Sequence, residues 1–157
     1  MDLRQHLIEL SETPGISGYE RPVREVVRAA WEGLVDEITV DGMGTLLATK
    51  FGTGEEPRRK MLVSAHMDEI GLMVSRIDGD FLRVTNVGGI DRRVLLSQPV
   101  IVHGKRPLPG LIGSRPPHVL PAAERKKVPA LEDLVVDTGL REAELRELVK
   151  IGTPITF

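Results

Sequence analysis

Apolar and polar positions along this chain predict helices first and strands afterwards. In residues 2–12 the apolar side chains recur at approximately helical spacing, which predicts a short amphipathic helix. Thr13, Pro14 and Gly15 then break the pattern. Ser17 and Glu20 have the spacing of a capping box, which predicts the start of a second helix. The apolar stripe of this second helix is formed by Val23, Val26, Val27, Ala30, Trp31 and Leu34.

Strand patterns follow the two helices. Residues 37–40 and 45–50 flank a glycine-containing turn at 41–44, and together they predict a hairpin. The run Met61–Ala65 is apolar without alternation, which is typical of a strand covered on both faces. The order of helix, helix, hairpin and central strand indicates the beginning of an α/β domain.

After residue 69 the pattern changes to short strands separated by Gly and Pro. Turn signals at intervals of roughly eight to twelve residues are typical of a small barrel or sandwich. We therefore predict an α/β fold in which residues 1–69 begin one domain and residues 70–157 form a small β-barrel domain. The predicted strands are 70–77, 81–87, 94–96, 100–102 and 111–112, and the predicted helices are 121–127 and 141–149.

Composition excludes several classes of function. The chain has 157 residues, a net charge of −2 and 3% aromatic residues, so nothing indicates a nucleic-acid or acidic-membrane partner. It has no cysteine, which excludes disulfides and thiolate chemistry and leaves His, Asp and Glu as metal ligands. No apolar run has the length of a membrane span or of a signal-peptide core, so we expect a cytoplasmic protein.

The candidate chemistry lies at the predicted boundary, in the sequence His66-Met-Asp68-Glu69. Residues i and i+2 of an extended chain point to the same side, so Asp68 could hold one ring nitrogen of His66 while the other binds a metal. We expect the preceding apolar run to bury the base of the imidazole. The alternative is a surface turn with three polar residues. The remaining histidines favour structural or solvated roles: His6, His103 and His118.

Seven short motifs occur in order over nearly the whole chain: Thr13–Glu20, Asp41–Gly44, Ala65–Gly71, Gly88–Asp91, Ile112–His118, Val136–Gly139 and Ile151–Pro154. Together they resemble the tetrahedral (TET) and glutamyl aminopeptidase family of dinuclear metallo-aminopeptidases, in which the names cellulase and endoglucanase also occur.

The resemblance implies a metallopeptidase α/β domain interrupted by an inserted β-barrel that mediates homo-oligomerisation. It implies that His66 is a metal ligand and that Asp68 is the catalytic-site acid that orients it. The family site holds two divalent metal ions, zinc or cobalt, and releases N-terminal residues from short peptides. Its other ligands and its general base follow the barrel, so this chain is expected to carry one ligand and to be inactive alone.

Two other readings stay open. The chain could be a non-catalytic oligomerisation or binding module derived from such a peptidase, or a separate chain could supply the missing part of the site.

Overall fold

The computed structural model describes residues 2–123 and 125–157. The chain divides into two compact units, Met1–Glu69 and Ile70–Phe157. The first unit combines helices with a hairpin and the second contains a closed barrel, so the fold class is the one expected from the sequence.

The first unit contains helices α1 (Leu3–Glu12) and α2 (Arg21–Trp31) and the strands β1 (Glu37–Val40) and β2 (Leu46–Thr49). The carboxylate of Asp2 accepts hydrogen bonds from the first free amides of α1, which explains why the helix begins there. Strands β1 and β2 pair antiparallel, with Glu37 opposite Thr49 and Val40 opposite Leu46. Both predicted helices and the predicted hairpin are confirmed, except that Leu34, assigned to the stripe of the second helix, lies beyond the end of α2 at Trp31.

The predicted start of α2 is wrong in one respect. The N-cap residue is Glu20, and no side chain caps the helix. Ser17 lies outside the helix, in a turn closed by a hydrogen bond of 2.8 Å from the Tyr19 amide to the Ile16 carbonyl. The Ser17 hydroxyl is therefore available for another partner.

The predicted strand at Met61–Ala65 is also wrong. These residues adopt no strand, and Met61, Leu62 and Val63 are 90%, 88% and 84% exposed. A strand exists only when a neighbouring strand satisfies its backbone groups, and in the described part of the chain no strand pairs with this run. The apolar composition predicted burial, but no strand in the described part of the chain pairs with this run.

The second unit is a closed antiparallel barrel with the strand order β3-β4-β7-β6-β5-β8. The chain returns to close it through β8, which pairs with β3 on one side and β5 on the other. The strands are β3 (Gly71–Asp78), β4 (Phe81–Val87), β5 (Pro99–His103), β6 (Pro107–Ser114), β7 (Leu134–Asp137) and β8 (Pro154–Thr156). Helix α3 (Glu142–Leu148) lies between the last two strands along the chain.

Alternating side chains of these strands fill the barrel with an apolar core. Leu82, Val102, Val136 and Ile155 have no exposed surface, and α3 adds Leu145 to the same cluster. The second unit therefore has its own core, whereas in the described part of the first unit only Ile16, Val23 and Leu46 are buried apolar side chains. A domain needs such a core to fold, so the second unit has more of the apolar burial that stabilises a domain than the first unit has.

Three expectations for the second unit differ from the structure. The segment predicted as a strand at 94–96 begins at the end of a short 3-10 helix, Arg92–Val94. The described residues of the predicted helix 121–127 form turns and irregular structure, and Glu124 lies outside the described residues. Strands β7 and β8 were not predicted. Among the described residues, no helix is long and apolar enough to cross a membrane.

Candidate functional site

The segment from His66 to Glu69 is held in place by the chain around Gly15. Ile16 forms a parallel bridge with Glu69, and the Glu69 amide donates to the Gly15 carbonyl at 2.9 Å. The Gly15 amide in turn donates to Glu69 Oε1 at 3.1 Å. Since Ile16 is only 1% exposed, the segment is attached to a buried residue of the first unit. This arrangement differs from a free surface turn.

His66 and Asp68 contact each other as their spacing predicted. Nδ1 of His66 lies 3.1 Å from Asp68 Oδ1 and 3.0 Å from the Asp68 carbonyl oxygen. Both partners are acceptors when Asp68 is ionised, so we assign the ring hydrogen to Nδ1. The lone pair is then on Nε2, and the side chain is 85% exposed. The expectation that an apolar strand would bury the base of the ring is wrong, because Met61–Val63 are themselves exposed.

Asp68 has a second partner that the sequence did not reveal. The hydroxyl of Ser17 donates to Asp68 Oδ2 across 51 positions of the chain. This hydrogen bond is the main cause that lowers the pKa of Asp68 below its ordinary value, and the neighbouring His66 adds to the effect. The carboxylate is therefore the favoured form of Asp68, as a partner of a ring N–H requires.

The pattern Ser-x-x-Glu is a strong local one, and it predicts a helix cap at Ser17. The structure places the Glu20 side chain on the Gly18 amide at 2.6 Å and the Ser17 hydroxyl on Asp68. A positive φ of 88° at Gly18 is typical of the turn position at which glycine is favoured. Gly15 and Gly18, on either side of Ser17, indicated a turn, but no pattern in the sequence indicated the partner of the Ser17 hydroxyl.

Among the described residues, His66 and Asp68 have the arrangement of a ligand and its supporting acid, and no complete metal site is present. A neutral imidazole with Nδ1–H bound to a carboxylate is the usual arrangement of a metal-ligating histidine. No group of three or more metal-binding side chains occurs in residues 2–123 and 125–157. Structural and catalytic zinc sites need at least three protein ligands. His66 therefore fits the role of one ligand, and further ligands would have to come from elsewhere.

The other histidines have different surroundings. His6 Nδ1 lies 3.9 Å from Glu9 Oε2 on α1. His103 Nε2 lies 2.9 Å from Thr156 Oγ1, where it links the barrel strands β5 and β8. His118 is in a short 3-10 helix between Pro117 and Val119. None of them belongs to a cluster of metal-binding residues among the described residues.

Comparison with known proteins places these residues in a family. The family model described as M42 glutamyl aminopeptidase matches residues 44–157. A lysyl aminopeptidase of Pyrococcus furiosus is 34% identical over 152 residues, which cover 92% of this chain and 42% of that protein. The chain thus spans about two fifths of the length of this relative.

Solved structures give the same result. A TET aminopeptidase from a marine sediment archaeon, Thaumarchaeota archaeon SCGC AB-539-E09, matches with a TM-score of 0.90 and 36% identity. The match covers 98% of this chain and 43% of that one. The TET1 peptidase of Pyrococcus horikoshii, described as able to assemble into a tetrahedron or a large octahedral shell, matches with a TM-score of 0.83 and 38% identity. Here the coverage is 99% of this chain and 46% of the other.

Proposed function

Because the chain belongs to the M42 glutamyl aminopeptidase family, we propose that it is part of a metal-dependent aminopeptidase acting on short peptides. The observation that carries this proposal is the His66–Asp68 pair, which is anchored to a buried segment and leaves Nε2 of the ring for a metal. The names of its relatives support the reaction class, since they include lysyl and glutamyl aminopeptidases.

In this proposal His66 binds one of two divalent metal ions, zinc or cobalt, through Nε2. Asp68 accepts the hydrogen on Nδ1, which fixes the ring orientation and makes Nε2 a better donor. When bound, such a metal pair lowers the pKa of a water and polarises the scissile carbonyl. The contribution of this chain to the reaction is thus to place one ligand, and Asp68 acts by orienting it.

The remaining ligands and the general base are supplied from outside the described residues, by a longer chain or by a second polypeptide. The lack of any three-ligand group among the described residues supports this part of the proposal. The exposed run Met61–Val63 supports it too, since contiguous exposed apolar residues usually mark a contact surface. By itself the 157-residue chain is therefore expected to be inactive as a peptidase.

A second candidate function is a non-catalytic oligomerisation module. It is favoured by the barrel, which closes on itself and has its own apolar core. In both candidates, residues 70–157 serve as the homo-oligomerisation domain and residues 1–69 as an incomplete part of the peptidase domain. The TET1 peptidase of Pyrococcus horikoshii, which can assemble into a tetrahedron or a large octahedral shell, supports the assignment of the barrel as an oligomerisation domain.

The test is metal stoichiometry by elemental mass spectrometry, after the purified chain is loaded with zinc or cobalt and desalted. For the isolated chain we expect a value near zero, because one imidazole cannot retain the ion against desalting. Addition of a polypeptide corresponding to the rest of the lysyl relative should raise the value and produce peptide hydrolysis. His66→Ala should reduce the metal gain and abolish the hydrolysis, while His6→Ala, which changes a histidine on α1, should affect neither.

Two outcomes contradict the peptidase proposal. One is a completed assembly that forms but takes up no metal. The other is a completed assembly in which His66→Ala hydrolyses peptides as the parent does. Assembly without metal uptake or hydrolysis would instead support the oligomerisation module. Robust hydrolysis by the isolated chain, lost in His66→Ala, would overturn the prediction that it is inactive alone.

A further inference from the structure

Ser17 holds a position that neither a helix cap nor a solvated loop explains. It lies in the turn between Ile16 and Tyr19, and its hydroxyl donates to Asp68 Oδ2. Ser17 is partly buried, and so is its hydrogen bond to Asp68. A hydroxyl that bonds a carboxylate over 51 positions is a tertiary contact, so it restrains the acid in a way that no neighbour in sequence does.

The two oxygens of Asp68 are divided between two partners. Oδ2 accepts from Ser17, and Oδ1 lies 3.1 Å from His66 Nδ1. A carboxylate is planar, so holding one oxygen restricts the rotation that would turn the other away. The direction from which Oδ1 meets the imidazole therefore depends on Ser17, although Ser17 does not touch the ring.

The backbone of Ser17 is fixed independently of its hydroxyl. Its neighbour Ile16 is buried and forms the parallel bridge with Glu69. The Gly15 amide donates to Glu69 Oε1, and the Glu69 amide donates to the Gly15 carbonyl. Removal of the hydroxyl thus leaves the peptide segment attached to the His66–Glu69 segment. This separation allows the contribution of the hydroxyl to be measured without loss of the whole contact.

We propose that Ser17 is a positioning residue for His66, which acts through Asp68 to keep the imidazole in the Nδ1–H tautomer with Nε2 available to a metal. The Ser17–Asp68–His66 series is the structural basis of this proposal. The proposal rests on the proposed function only in assuming that Nε2 binds a metal. The tautomer itself is a property of the metal-free chain.

The experiment is long-range ¹H–¹⁵N NMR of the metal-free chain with labelled histidines, at a pH at which the imidazoles are neutral. The parent chain is expected to show His66 mainly as the Nδ1–H tautomer. In Ser17→Ala the ratio of the Nδ1–H to the Nε2–H tautomer is expected to fall about threefold or more, since one charge-assisted hydrogen bond is lost. Ser17→Thr retains the hydroxyl and should restore the ratio.

Ser11→Ala is the matched control, because Ser11 donates only to the Leu7 carbonyl within α1. It should leave the His66 signals unchanged. Backbone amide spectra establish that each variant keeps the parent fold. If Ser17→Ala does not, Ser17→Cys, a weaker donor of similar size, replaces it and should give a smaller shift in the same direction.

An unchanged tautomer ratio in the folded Ser17 variant overturns the proposal. So does an equal fall in Ser17→Thr, because the effect would then follow from shape and not from the hydroxyl. The outcome does not depend on the peptidase assignment. A chain that takes up no metal in the completed assembly can still show a tautomer ratio that depends on Ser17. A chain that does take up metal can show a ratio that does not depend on Ser17.

Discussion

Gly15 and Glu69 exchange two hydrogen bonds: the Gly15 amide donates to Glu69 Oε1 at 3.1 Å, and the Glu69 amide donates to the Gly15 carbonyl at 2.9 Å. No pattern in the sequence assigned a partner to Glu69. In the structure its carboxylate satisfies a backbone amide of the segment that also carries Ser17. Glu69 therefore stabilises the connection between the two segments that form the candidate site.

Removal of the Glu69 carboxylate should weaken this connection. We expect Glu69→Ala to lower the free energy of unfolding of the first unit by about 1 kcal/mol, because the Gly15 amide loses its acceptor. Denaturant unfolding followed by fluorescence of Trp31, the single tryptophan, reports on this unit. Glu69→Gln keeps a carbonyl oxygen and should retain most of the stability. If Glu69→Ala unfolds like the parent, the bond contributes nothing in solution.

Gly15 is also required for packing. A Cβ atom at this position would lie 2.7 Å from Val23 Cγ1, well inside van der Waals contact. Val23 is only 4% exposed, so it has little freedom to move away. Gly15→Ala is expected to destabilise the first unit by about 1–3 kcal/mol, measured by the same fluorescence method. Gly42→Ala is the control, because no atom lies within 4 Å of its added Cβ; equal effects of the two variants would contradict the packing explanation.

The barrel core should tolerate truncation poorly. Leu82 is fully buried, so Leu82→Ala is expected to lower the free energy of unfolding of the second unit by about 2–5 kcal/mol. Leu111 on β6 is 51% exposed, and the same substitution there should cost much less. Amide hydrogen exchange of the barrel strands measures both changes. Similar losses of protection in the two variants would show that the barrel interior is not packed as described.

Acid should weaken the attachment of α3 through Asp80. The Arg141 side chain and the Glu142 amide each donate to Asp80 at 2.8 Å. These hydrogen bonds lower the pKa of the Asp80 carboxyl below its ordinary value of 3.8, and the bond from Arg141 has the larger effect. A carboxyl whose pKa is lower in the folded state contributes stability above the unfolded pKa, and this is lost as the pH falls through the folded pKa. Protection of α3 amides should decrease over that acidic range.

Asp80→Asn should make this decrease shallower, because the amide does not titrate there. An identical pH profile in Asp80→Asn and the parent chain would assign the acid sensitivity to other carboxylates. Both proteins should be compared at the same ionic strength, since the Arg141 side chain is 85% exposed and its attraction is screened by salt.

The sequence predicted the elements that depend on local interactions. Helix α1 and the β1–β2 hairpin are specified within a few residues, and the His66–Asp68 contact spans only two positions. The Ser17–Asp68 bond requires the fold to bring distant segments together. Strand β8 has only three residues, and its assignment depends on β3 and β5 beside it. Local patterns contain no information about such partners.

The run Met61–Ala65 also shows that a local pattern does not reveal whether a partner is present. Its apolar composition indicates burial, but burial and strand formation both need a partner that the described residues do not provide. We therefore expect substitutions in this run to have little effect on the stability of the isolated chain. Leu62→Glu should change the free energy of unfolding by no more than about 0.5 kcal/mol, since surface substitutions have effects of this size. Trp31 fluorescence again provides the measurement.

Leu46→Glu is the matched comparison, because Leu46 is 7% exposed and a buried unpaired carboxylate is costly. It should unfold the first unit, whereas Leu62→Glu should not. Light scattering should also show less self-association in Leu62→Glu, because a charge interrupts the exposed apolar run. If Leu62→Glu destabilises the chain as Leu46→Glu does, Leu62 is packed in solution. The run would then have found a partner within the chain or in a second copy, and a concentration dependence of the stability would identify the second copy.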